Sequence, residues 1–336
     1  MGAAHVPAYS QFPQDWTGGC VTCGAGRDGR IPRVLSVAGT DPTGGAGLQA
    51  DLKAFSAHGA YGMGVVTALV SQNTRGVRDV HVPPVEFLRS QLDAVSDDVA
   101  IDAIKIGMLF DAPVISEVTD WLEGLRGGNA AASEVAEVAA EDAATGIATQ
   151  DAPTVDDEFL DGTRAPIVVL DPVMVATSGS KLIQDEAIDT LKHELLPLAE
   201  LVTPNIPEAE ILSGMEIHCP QDMEQAARAI SETYHCAVLL KGGHDLNDAN
   251  DLLYKDGTAT WFRGRRIDNP NTHGTGCTLS SAIASNLACG MELEEAVRSA
   301  KAYISGALAA MLNLGKGRGP MNHLFDLKSS FIREVD

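Results

Sequence analysis

The residues best able to do chemistry lie in Asn271-Thr272-His273-Gly274-Thr275-Gly276-Cys277-Thr278-Leu279. Two glycines bracket a threonine, and Leu279, Ala282, Ile283 and Leu287 follow at a spacing that predicts one apolar face of a helix. A Gly-rich turn feeding a helix start leaves several backbone N–H groups pointing the same way without partners. Together with the helix dipole they form a place for a phosphate or a developing anion. The backbone amides of Gly274, Thr275, Gly276 and Cys277 are the candidates. Cys277 falls in the first helical turn, where the positive helix end is expected to favour thiolate and lower its pKa. A reactive group beside an anion cradle points to phosphoryl transfer.

Such a loop needs a scaffold, and the chain predicts one. Val34 to Ala38, Val65 to Val70, Ile101 to Ile106, Ile167 to Leu170, Leu201 to Thr203 and Ala237 to Leu240 read as buried strands. Helical patterns lie between them: Leu48 to Phe55, a run opened by Pro84, Ala112 to Leu122, Asp185 to Leu196, a turn entered through Pro204 to Glu208, and Met223 to Tyr234. Lys255-Asp-Gly257 marks a hairpin between Asp251–Tyr254 and Thr258–Phe262. A last helix is predicted from Leu293 to Leu314. Strands alternating with helices imply an α/β fold, a mostly parallel sheet covered on both faces.

In open α/β sheets ligands bind beyond the carboxyl ends of the strands. The unusual polar residues of this chain fall there. Asp41 follows the first predicted strand, Gln72 the second, Met108 the third and Asp171 the fourth. Asn205 and Glu208 follow the fifth, and Lys241 to His244 the sixth. Convergence of these ends on one edge argues for an enzyme. Gly45-Ala-Gly-Leu-Gln-Ala50 matches a dinucleotide fingerprint, but the second strand offers Ser71, Gln72 and Asn73 where an acid is needed for the ribose. The chain contains no P-loop motif.

Bulk properties narrow the partners. The 336 residues carry a net charge of −22, which argues against nucleic acid and against anionic membranes. A phosphate site must therefore be made locally positive by helix ends, a few cations and metal ions. No apolar run reaches the length of a membrane span, and no secretory signal is expected at the N-terminus. The six dispersed cysteines are expected to be reduced in a cytoplasmic protein, with Cys20-Val-Thr-Cys23 lacking further ligands for zinc. Residues 1–30 read as a flexible extension. Between about 124 and 166, nine acidic residues stand against two basic ones with few large apolar residues, so a disordered acidic insertion is expected. The remainder, 31–336, reads as one domain.

Six ordered motifs identify a resemblance. Ala38-Gly-Thr-Asp-Pro-Thr-Gly-Gly-Ala-Gly-Leu-Gln-Ala-Asp51, Ala68 to Gly76, Lys105-Ile-Gly-Met-Leu109, Thr203-Pro-Asn-Ile-Pro-Glu-Ala209, Lys241-Gly-Gly-His244 and Asn271 to Leu279 resemble hydroxymethylpyrimidine/phosphomethylpyrimidine kinases. The resemblance spans about Pro32 to Phe325 apart from the insertion. It implies a ribokinase-like three-layer α/β/α fold, usually homodimeric. The implied reaction uses ATP and Mg²⁺ to phosphorylate 4-amino-5-hydroxymethyl-2-methylpyrimidine and then its monophosphate, for thiamine synthesis.

The resemblance also implies roles. Gln72 binds the pyrimidine, its amide offering the donor and acceptor that a ring nitrogen beside an amino group needs. Gly39, Asp51, Met108 and Val173 line the substrate pocket. Thr203, Asn205 and Lys241 contact the nucleotide, with His244 a weaker candidate. Glu208 and Asp171 place Mg²⁺, through water. Cys277 accepts the hydroxymethyl proton where many relatives carry Asp. Two departures stand out: Asn269-Pro270, where a Lys is common at the Pro position, and Ser180-Lys181, where Asp is frequent. Pyridoxal kinase activity is the alternative within the class. A non-catalytic pyrimidine sensor and an NAD oxidoreductase are the readings from other classes.

Overall fold

The computed structural model describes residues 30–127, 165–174, 183–242 and 249–327. The expected extension, nearly all of the acidic insertion, Cys20 and Cys23, Ser180-Lys181 and His244 lie outside them. Eight strands form one sheet in the order β10-β9-β8-β7-β6-β5-β1-β2. Here β1 is Arg33–Ala38, β2 Tyr61–Val66, β5 Ala103–Ile106, β6 Ile167–Leu170, β7 Leu201–Val202, β8 Ala237–Lys241, β9 Asp251–Lys255 and β10 Thr258–Phe262. The first six of these strands in chain order pair in parallel, and β9 and β10 add an antiparallel edge. Their hairpin turns at Asp256 and Gly257, both with positive φ, as the Asp-Gly signal predicts.

Alternation along each strand sorts residues into two layers. Ile104, Ile106, Val168, Leu170, Val202, Val238 and Leu240 face one core, which includes side chains from α2 (Val85–Ser96), α3 (112–127), α5 (Ile206–Ser213) and α6 (Pro220–Tyr234). Val34, Ala103, Val169, Leu201, Leu239 and Leu253 face the other, beneath α1 (Gly47–Ala57), α7 (Thr275–Ala288) and α8 (Leu293–Ala309). The expected fold class, a three-layer α/β/α arrangement with a mostly parallel sheet, is what the chain adopts. Helix α7 is buried from Thr278 through Leu287, and its Ser, Ala and Thr side chains are small enough to let it lie flush on the sheet between α1 and α8.

Three elements differ from the sequence reading. The strand expected over Val65 to Val70 ends at Val66, and the chain turns out of the sheet at Thr67 and Ala68. Leu69–Asn73 (β3) then pairs with Gly76–His81 (β4) in a separate antiparallel hairpin, with a bulge at Ser71/Gln72. A short apolar run cannot reveal by itself where one strand becomes two. The Asp185 helix, α4 (Asp185–Thr190), passes into a π turn over Leu191–Leu195 and a 3₁₀ turn over Leu196–Leu198, where Pro197 stops it. The last helix closes at Ala309, five residues before Leu314. Among the described residues, Cys219, Cys236 and Cys277 are free thiols.

Candidate active site

Helix α7 begins where the sequence placed it. Gly274 is its N-cap, with φ 81°, a left-handed conformation that side chains disfavour. A Cβ there would also collide with the Gly45 carbonyl, so the two Gly-rich loops meet backbone to backbone. The first-turn amides of Thr275, Gly276 and Cys277 open toward the carboxyl edge of the sheet, although the Thr275 N–H leans on Thr272 O at 3.4 Å.

Opposite this turn stand groups from three neighbouring strands. Lys241, at the end of β8, donates through Nζ to Asp171 Oδ1 at 2.9 Å, just beyond β6. Thr203, just beyond β7, donates to the same oxygen at 3.3 Å. A Cβ on Gly276 would lie 3.3 Å from Lys241 Nζ and 3.5 Å from Asp171 Oδ2. Gly276 therefore brings the amide cradle against half-buried Lys241 and the buried Asp171 carboxylate. Burial works against the Lys241 charge, but Asp171 and Glu208 outweigh it and raise the pKa.

Asn205 and Glu208 form a capping box on α5. Glu208 N–H donates to Asn205 Oδ1 at 2.9 Å, and Asn205 N–H donates to Glu208 Oε2 at 2.8 Å. The Met174 N–H reaches Glu208 Oε1 at 3.4 Å. The motif thus does structural service first, and Glu208 keeps lone pairs for a cation. Burial, with Asp171 adding repulsion, raises Glu208 to about 7 despite Lys241 and the backbone donors. Truncating Asn205 to Ala removes one cap, and chemical denaturation is expected to show a loss of about 1 kcal/mol. An unchanged midpoint would mean the box contributes no stability.

A polar layer lies under the cradle. Period-two alternation puts Ser36 of β1 and Lys105 of β5 on the α1/α7 side of the sheet. There Asp51 of α1 accepts from Lys105 Nζ at 2.9 and 3.0 Å, from Ser36 Oγ at 2.6 Å and from Ser281 Oγ at 2.7 Å. Asp51 and Lys105 are both 0% exposed. The expectation that Asp51 lines the pocket is corrected: its carboxylate is enclosed and fully engaged with a buried cation. Lys105 was visible only as a motif letter, since an internal Lys in an apolar strand announces no partner 54 residues away.

The expected lowering of the Cys277 pKa is also overturned. Burial pushes the thiol up to about 11, and Asp51 and Asp171 add to the rise. Lys105 and the Gly47 N–H pull the other way without matching it. At this half-buried thiol, desolvation and the two nearby carboxylates outweigh what the helix end offers a thiolate.

Beside these groups the substrate-lining candidates assemble. A Cβ on Gly39 would lie 3.2 Å from Met108 Sδ and 3.7 Å from Val70 Cγ2. Met108, Val70 and Ala68 form a small apolar cluster with Val77, Val80, Phe110 and Val173. The Thr67 hydroxyl ties the hairpin base to Met108 O at 2.6 Å, and Val70 N–H donates to Thr40 Oγ1 at 3.0 Å. Gln72 lies in this separate hairpin, beside the register shift at Ser71/Gln72.

The Asp41–His273 pair is likewise invisible in the sequence. Asp41 is 0% exposed and accepts from Thr43 N–H and Oγ1, Gly45 N–H, Ala46 N–H and His273 Nε2. Burial alone would raise its pKa, yet the His273 and Thr43 hydrogen bonds outweigh burial and lower it to about 2. A carboxyl so depressed contributes stability that is complete above its ordinary value near 3.8 and is lost as pH falls through about 2. Urea midpoints measured from pH 5 down to 2.5 are expected to fall less steeply in Asp41→Asn than in the wild type. Equal slopes would remove Asp41 from the acid limb.

An amide-lined helix start set against a half-buried lysine and two carboxylates, at the carboxyl edge of an α/β/α sheet, defines a phosphotransferase of ribokinase-like class. A phosphomethylpyrimidine kinase family profile matches residues 41–130 and 129–322, and the chain belongs to that family. It is 40% identical over 298 residues to the hydroxymethylpyrimidine/phosphomethylpyrimidine kinase of Haemophilus influenzae, covering 87% of this chain and 97% of that one. It is 42% identical over 294 residues to the Rhizobium meliloti protein of the same name, covering 86% and 96%. Among solved structures, a Clostridium difficile phosphomethylpyrimidine kinase aligns at TM-score 0.63 and 36% identity, covering 82% of this chain and 98% of that one. Bacillus subtilis pyridoxal kinase, an ADP complex, aligns at TM-score 0.70 and 31% identity, covering 88% and 98%.

Proposed function

We propose that this chain phosphorylates 4-amino-5-hydroxymethyl-2-methylpyrimidine on its hydroxymethyl oxygen and then phosphorylates the monophosphate, with ATP as donor, in thiamine biosynthesis. The observation that carries the reading is the approach of Gly276 to Lys241 and Asp171, which puts anion donors, a cation and a carboxylate at one point. In each step the bond from the γ-phosphorus to the ADP oxygen breaks and a bond to the acceptor oxygen forms. The Gly274 to Cys277 amides hold the equatorial oxygens of the migrating phosphoryl group, and Lys241 neutralises the nucleotide phosphates near Thr203 and Asn205. Cys277 faces the acceptor hydroxyl. Gln72 reads the pyrimidine edge, while Gly39, Met108 and Val173 exclude water from its ring. Asp51 acts from below, through Lys105.

Asp171 and Glu208 bring two buried carboxylates, hard oxygen donors, close enough to interact, a set that fits a divalent cation. Mg²⁺ there, retaining waters, would neutralise phosphate charge. The same reading carries a homodimer in the cytoplasm and a single kinase domain over 31–336. Among the described residues, no helix is long and apolar enough to cross a membrane.

The deciding experiment measures ADP release with the pyrimidine alcohol, its monophosphate and pyridoxal as separate acceptors. Release with both pyrimidines at a kcat/KM above that for pyridoxal is expected. Preference for pyridoxal would replace the reading with the vitamin B6 alternative. Ligand binding without ADP release would make the chain a sensor.

A further inference from the structure

We infer that Asp41 and His273 form a clasp that positions the phosphoryl cradle, and that His273 is a positioning residue for transfer although it touches no reacting atom. His273 immediately precedes Gly274, the N-cap of α7. Its Nε2–H donates to Asp41 Oδ2 at 2.8 Å across 232 residues of sequence. The same carboxylate oxygen gathers the Gly45 and Ala46 amides at 3.1 and 2.8 Å, while its partner oxygen holds Thr43. One carboxylate therefore sets the curvature of the first Gly-rich loop and anchors the entry to the second. The ring is fixed on its other sides as well. Its backbone N–H donates to Gly319 O at 3.2 Å, and a Cβ on Gly45 would meet both the His273 ring and Pro320.

The consequence is geometric. The Gly274 backbone touches Gly45, so any slackening of the first loop shifts the start of α7. The amides of Gly276 and Cys277 must meet the migrating phosphoryl group at hydrogen-bond distance, and a displacement near 1 Å at such a site costs about a hundredfold in rate. Ground-state binding of ATP and pyrimidine draws on other residues, Lys241 and Gln72 among them. Loss of the clasp should therefore appear in kcat and leave KM nearly in place.

The inference rests on the proposed kinase activity, and the test separates the two. Steady-state kinetics on the full chain are compared for wild type, His273→Ala, His273→Gln and Asp41→Asn, alongside the alkylation rate of Cys277 by iodoacetamide. A fall in kcat of roughly a hundredfold is expected for His273→Ala, with both KM values within about threefold. His273→Gln keeps an amide donor in reach of Asp41 and should recover most of kcat, and Cys277 alkylation should quicken in His273→Ala and Asp41→Asn but not in His273→Gln. Wild-type kcat in a folded His273→Ala, or a His273→Gln as impaired as His273→Ala at equal thermal stability, would overturn the clasp. A wild type inert toward every acceptor would overturn the kinase reading instead, and the alkylation rates would still decide the clasp: equal rates in wild type and His273→Ala would dismiss it.

Discussion

Cys277→Ser should lower kcat for the pyrimidine alcohol by roughly 10²- to 10³-fold while leaving the KM for ATP within about threefold. The serine keeps the size and hydrogen-bonding sense of the side chain, so the cradle and nucleotide contacts survive. What disappears is a group that can hold a negative charge. Burial pushes the Cys277 thiol up to about 11, so at pH 7 only about one molecule in 10⁴ carries thiolate. A loose transition state asks little of a base, and the acceptor proton leaves late. A scarce but strong base is sufficient for that demand. The deprotonated form is the active one, so kcat for the first phosphorylation should rise with pH from 7 toward 10, approaching tenfold per unit, and the rise should vanish in Cys277→Ser. The second acceptor is a phosphate already ionised at neutral pH, so its rate should depend less on both pH and the substitution. Near-wild-type turnover in the variant, or an alkaline limb that persists without the sulfur, would take Cys277 out of proton transfer.

That result would also mark where reading the chain as letters succeeds and where it fails. The α7 turn was legible because Gly274, Gly276 and the periodic Leu279, Ala282, Ile283 and Leu287 encode their structure locally. The same holds for Asn205 and Glu208, whose spacing of three is a cap before it is anything else. The strand ends that gather Asp171, Thr203 and Lys241 followed from one rule about parallel sheets. Three features were hidden for physical reasons. The protonation of Cys277 depends on how many atoms enclose it, and a helix-end argument omits that quantity. The Asp41–His273 and Asp51–Lys105 pairs join residues far apart in the chain, and nothing in the local sequence of either partner names the other. The β3–β4 hairpin escaped because Leu69 and Val70 continue the apolar run of β2, so the exit from the sheet leaves no mark in hydropathy. The motif around Gln72 marks that residue whatever element carries it.

The buried pair beneath the cradle offers the second large effect. Lys105→Met should cost about 3–5 kcal/mol, because Asp51 keeps its charge in a fully enclosed site with only two serine hydroxyls to answer it. Adding Asp51→Asn removes that orphaned charge while keeping an oxygen for Ser36 or Ser281, so the double variant should regain most of the loss. Urea denaturation measures both. The pair also bears on the sulfur above it, since Lys105 draws the Cys277 pKa down while Asp51 raises it. In Lys105→Met only the raising influence remains. The alkaline limb of kcat should then move to higher pH even in the folded fraction, and the double variant should bring it back toward wild type. A structural role alone predicts the stability changes without the shift in the limb. Full stability in Lys105→Met would mean that the Asp51–Lys105 ion pair adds nothing net to the fold. The layer would then hold the fold through hydrogen bonds, with its charges dispensable.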